Sequence, residues 1–122
     1  MKTAFYDFNI GADARRYTFT SVGPRPVNKV VLYSETNFLN YYTLSLADVE
    51  PDGQLNYLSA RNNGDLERIL ATVAQTLLAF LAHYPAAHVA FAGSTPSRTR
   101  LYQIVLTREL QAASAKFVIF GA

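Results

Sequence analysis

At 122 residues, half of them hydrophobic, the chain is long enough for one domain with a proper core and too apolar for a disordered segment. It has no cysteine, which excludes disulfides, thiolate metal sites and thiol catalysis. The formal net charge of +2 is mildly basic, short of the basic stripe of a dedicated duplex-DNA binder, and leaves nucleic acid open as a partner.

The N-terminal stretch MKTAFYDFNIGADARRY alternates and carries charges, so it lacks the continuous apolar core of a signal peptide. Ala4–Phe8 and Arg16–Val22 read as strands, since polar residues alternate there with apolar or aromatic ones. Val22-Gly-Pro-Arg-Pro-Val27 is a turn, and Lys29–Tyr33 is a β-branched strand. Phe38–Leu46 alternates again, with Tyr42, Leu44 and Leu46 on one face and Tyr41, Thr43 and Ser45 on the other. Leu55–Ala60 is a weaker fifth strand.

Between these strands, Asp48–Gly53 carries acids at the first, third and fifth positions and glycine at the sixth, as a calcium loop does. Its twelfth position is Ser59 rather than Glu, and no helix pair flanks it. It therefore reads as a solvated loop.

The period then changes. Leu66, Ile69, Leu70, Val73, Leu77, Phe80, Leu81 and Tyr84 share one face of a helix over Leu66–Tyr84. Asn62-Asn-Gly-Asp65 supplies turn and cap residues before it, and Pro85 ends it. The apolar stretch Ile69–Leu81 is broken by Thr72, Gln75 and Thr76 and is short for a membrane span, so a soluble, cytoplasmic protein without a membrane partner is expected. His88–Ala92 reads as a buried strand, a second helix opens at Pro96 with Thr95 as its cap and runs to about Ala113, and Lys116–Phe120 is a last strand. The order is an antiparallel meander of four to five strands followed by α-β-α-β. It predicts a single α+β domain over residues 1–122: one curved sheet with both helices on one face.

The second helix poses a problem. Arg98 and Arg100 fall in its first turns, where the helix dipole makes a cation unfavourable by about 0.3–1 kcal/mol. At about 100° per residue, Tyr102, Val105, Glu109 and Ala112 lie close to Arg98, whereas Arg100 lies about 200° away with Gln103, Thr107 and Gln111. Arg98 therefore belongs to the core-facing side and Arg100 to solvent. A partly buried guanidinium needs a partner. One reading pairs Arg98 with Asp65 as an internal ion pair. The other makes Arg98 the wall of an anion pocket completed by backbone N–H groups and by Ser94, Thr95 and Ser97. Asn62, Asn63 and Asp65 would face that loop across a shared cleft, and Tyr102 reads as core packing.

The segments NNGDLERILATVAQTLLAFLAHYP and GSTPSRTRLYQIVLTREL, with SVGPRPVNKVV before them, resemble the signature of an uncharacterised bacterial domain family. That resemblance implies a small α+β protein and brings no activity. It directs interest, without roles, to Asn62, Asn63, Gly64, Asp65, Gly93, Ser94, Thr95, Arg98, Thr99, Arg100 and Tyr102. The meander followed by a helix also resembles the building unit of Whirly- and Pur-type folds that bind single-stranded nucleic acid, although the second half of this chain does not repeat that unit.

Enzyme motifs are sparse. There is no phosphate-binding G-x-x-x-x-G-K-[ST] loop, no G-x-S-x-G elbow and no cofactor motif. His83 and His88 lack metal-ligand spacing, and nothing in the pattern brings His88 to Ser94. The leading expectation is a non-enzymatic module that binds phosphate or another anion, carried by single-stranded nucleic acid, a nucleotide or an acidic protein segment, through Ser94, Thr95, Ser97, Arg98 and Arg100. Its rivals are a protein-interaction or homodimeric regulatory protein in which Arg98–Asp65 is scaffolding, and an RNA-processing or toxin-like nuclease using Arg98 with His88 or Tyr102.

Overall fold

The computed structural model describes residues 4–56, 65–91, 96–112 and 120–121. Strands β1 (Asn9–Ile10), β2 (Arg16–Val22), β3 (Pro26–Glu35) and β4 (Tyr41–Val49) follow one another as an antiparallel meander. The far edge of β4 is then shared. Short β5 (Leu55–Asn56) pairs antiparallel with Asp48 and Val49, and β6 (His88–Phe91) pairs parallel with Tyr41–Leu44. Helix α1 (Leu66–His83) makes the crossover between them. Helix α2 (Pro96–Ala112) leads to β7 (Phe120–Gly121), which adds parallel to β6. The result is the expected open α+β sheet.

The alternation expected for β4 holds. Leu44 is buried and Tyr42 and Leu46 pack against the core, whereas Tyr41 and Thr43 are exposed on the opposite face. The same period sends Tyr17 and Phe19 of β2 and Val31 and Tyr33 of β3 into one cluster with Leu70, Val73, Leu77 and Phe80 of α1 and Tyr102, Val105 and Leu106 of α2. Both helices therefore cover one face of the sheet. By length and composition α1 is also apolar enough to cross a membrane. In this fold its apolar stripe faces the strands.

An aromatic chain runs through this core. Tyr17 meets Tyr33 edge-on with centroids 5.6 Å apart, and Tyr33 stacks on Phe80 at 4.1 Å. Phe80 in turn contacts Tyr42 and Tyr84. The buried hydroxyls are satisfied, as burial requires. Thr76 Oγ1 donates to the Val73 carbonyl at 2.7 Å, so Tyr33 O–H donates to Thr76 at 3.0 Å. Tyr17 O–H donates to the Ala14 carbonyl at 2.7 Å.

Several boundaries differ from the sequence reading. Ala4–Phe8 is not a strand: its Tyr6 N–H donates to Thr72 Oγ1 of α1 at 2.9 Å, so this backbone is tied to a helix and not to the sheet. The turn after β4 is shorter than expected, because β4 continues through Asp48 to Val49. What remains is Glu50–Gln54, closed by Glu50 and Gln54 and turned by Gly53 at φ +87°, a conformation that glycine adopts without strain. Residues 57–60 of the fifth strand, 62–64 of the turn before α1, 92–95 before α2 and 116–119 of the last strand lie outside the described residues.

Candidate functional site

Asp65 occupies the N-cap position of α1, yet its carboxylate makes no capping bond. It turns instead toward the sheet. Tyr6 O–H donates to Oδ2, and Ser21 Oγ donates to the same oxygen at 2.5 Å. Tyr6 also accepts the Val22 N–H at 3.1 Å, while the Arg68 guanidinium lies 4.0 Å over its ring. One acid thus joins the N-terminal segment, β2 and the first turn of α1. Among the described residues, Oδ1 of Asp65 is buried without a hydrogen-bond partner.

Helix α2 begins at Pro96, as expected, and has no acid in its first turn. Arg100 is exposed. Tyr102 is buried and meets Phe91 edge-on at 5.0 Å, the packing role expected for it. Val105 and Glu109 are buried on the same side, and Thr107 is exposed with Arg100. Ser94 and Thr95, together with the side chains of Ser97 and Arg98, lie outside the described residues, as do Asn62 and Asn63.

The direction of α2 follows from two contacts. Tyr102 sits over Phe91, while Arg108 Nη2 lies 3.9 Å from Glu67 Oε2. The start of α1 is therefore met by the C-terminal half of α2. Arg98 precedes Arg108 by about 15 Å of helix, at 1.5 Å per residue.

A second polar pair escaped the sequence reading. Lys29 Nζ bonds Asp48 Oδ1 across β3 and β4 on the helix-facing side of the sheet, and both side chains are almost fully buried. Asp48 is thus not a solvated loop residue. The signal that would have found it is parity: Asp48 continues the Tyr42, Leu44, Leu46 series, and Lys29 continues Val31 and Tyr33. No group of three or more His, Cys, Asp or Glu that would hold a metal occurs among the described residues.

Residues 2–122 match the model of a family of unknown function, DUF6934. The chain belongs to that family. The match spans the meander and both helices. No curated relative and no solved structure matches the chain.

The two histidines have separate neighbours. His83 Nδ1 lies 3.0 Å from the Ala79 carbonyl, and His88 stacks on Tyr41 at 4.8 Å on the far side of the sheet.

Proposed function

We propose that the chain is a non-enzymatic binding module that takes a phosphate-bearing or other anionic ligand at the start of α2. Arg98 fixes the anion, Ser94, Thr95 and Ser97 add hydrogen bonds, and Arg100 supplies surface attraction. The helix N-terminus adds its dipole.

The observation that supports this reading is that Asp65 Oδ2 is committed to the N-terminal segment and β2. The acid expected to neutralise Arg98 already receives two hydroxyl donors, from Tyr6 and Ser21. Arg108, in the C-terminal half of α2, reaches Glu67 at the start of α1. The first turn of α2 carries no acid of its own to offset a cation placed there. A cytoplasmic setting with single-stranded nucleic acid or nucleotide as ligand follows from the same proposal.

Amide NMR tests it. Inorganic phosphate and a nucleoside monophosphate should shift the resonances of Ser97–Arg100 saturably and leave those around Asp65 in place. Shifts centred on Asp65, or none in the first turn of α2, count against the reading.

A further inference from the structure

The β3–β4 hairpin ends in an apolar tip. Phe38 is 73% exposed, Leu39 87% and Tyr41 48%. Monomeric proteins keep such patches small unless something covers them. This tip is also held in place. Thr36 Oγ1 donates to the Tyr41 carbonyl at 2.8 Å and accepts the Phe38 N–H at 3.2 Å. Asn40 adopts φ +63°, and its carbonyl accepts the His88 N–H at 2.7 Å. Tyr41 lies flat on His88, and Phe38 meets Tyr41 edge-on at 6.3 Å. A shallow cleft of about 350 Å³ runs beside these side chains, lined by Glu35–Tyr42.

Charge decides what such a surface meets. From Thr36 to Ala47 the sequence contains no Asp, Glu, Lys or Arg. The nearest acid, Glu35, is already paired with Arg15 at 2.8 Å. A phosphate backbone or an anionic membrane calls for cations at the contact, and the tip has none. A contact between identical copies has the opposite requirement. Across a two-fold axis the patch meets an identical patch, so any net charge in it faces a like charge. An uncharged, preformed apolar tip meets that requirement.

We propose that the hairpin tip is a self-association surface, with two copies meeting tip to tip about a two-fold axis through Phe38, Leu39 and Tyr41. The contact is small and belongs to the weak end of protein interfaces, so the dimer is concentration-dependent. It is separate from the anion site on α2 and stands or falls without it.

Sedimentation equilibrium tests the proposal on the intact chain. The wild type should rise from its monomer mass of 13.5 kDa toward twice that mass as concentration increases. Leu39→Asp and Leu39→Lys, both at an exposed position, should each weaken association by roughly tenfold or more. Mixing the two variants should restore it, because opposite charges then meet across the axis. A wild type that stays monomeric, a dimer that neither substitution weakens, or a mixture no tighter than either variant alone overturns the proposal. The first result would leave the tip to a different partner.

Discussion

Lys29 and Asp48 are register partners on β3 and β4, and their side chains are only 2% and 3% exposed. A lone buried charge is far more costly than a buried pair. Lys29→Met should therefore destabilise the fold by about 3–5 kcal/mol, whereas Lys29→Met combined with Asp48→Leu should recover most of that loss. Urea denaturation of the three proteins checks this. Equal destabilisation in the single and double variants would mean that the pair does not act as a unit.

Asp65 makes a separate prediction about how the N-terminal segment is anchored. Tyr6 and Ser21 donate to the same carboxylate oxygen, so their contributions are coupled. Tyr6→Phe should cost about 2 kcal/mol, within the range for a hydrogen bond to a charged group. Tyr6→Phe with Ser21→Ala should depart from the sum of the single effects, and a double-mutant cycle in urea measures the difference. Strict additivity would contradict the shared acceptor.

The aromatic chain predicts alkaline sensitivity. Burial pushes the Tyr17 phenol up from 10 to about 12, with the Tyr84 phenol adding to the shift, and burial raises Tyr33 further. Both folded values exceed the unfolded ones, so the folded state holds these protons more tightly. The associated stability is complete below about pH 10 and is lost as pH rises through about 12. Urea midpoints should fall over that window, and tyrosinate absorbance should show two phenols that ionise late, together with unfolding. A midpoint unchanged across the window would contradict this.

The pattern of the chain made the core legible wherever one face of an element is uniformly apolar. Tyr42, Leu44 and Leu46 on β4, and Val73, Leu77 and Phe80 on α1, lie where their periods put them. Periodicity failed where a polar residue sits on the apolar face. Asp48 looked like a loop acid because its acceptor role depends on Lys29, 19 residues earlier. Ala4–Phe8 alternates like a strand, but its backbone partner is Thr72, a helix side chain that no local pattern reveals. The cap at Asp65 shows the same limit. Its residue type suits an N-cap, while Tyr6 and Ser21 compete for its carboxylate from distant positions. Of the aromatic residues on β2, β3, β4 and β6, Tyr17, Phe19, Tyr33, Tyr42 and Phe91 all pack in the core. Among the described side chains of these strands, Tyr41 lies on the outer face, stacked on His88.

If the arginines of α2 bind phosphate, Arg98→Ala and Arg100→Ala should differ. Arg98→Ala should lose ligand binding across oligonucleotide sequences, because the contact is to the backbone. Arg100→Ala should weaken binding less and flatten its dependence on salt. Asp65→Asn should leave affinity within about threefold while lowering stability, since its carboxylate serves Tyr6 and Ser21. Circular dichroism on each variant separates lost binding from lost fold.

The most direct measurement is fluorescence anisotropy of labelled single-stranded RNA and DNA with the wild type and Arg98→Ala, at low and moderate salt. The account predicts wild-type binding that weakens steeply with salt and is absent in a folded Arg98→Ala variant. A folded wild type that binds neither strand at low salt, or equal binding by Arg98→Ala, would contradict it.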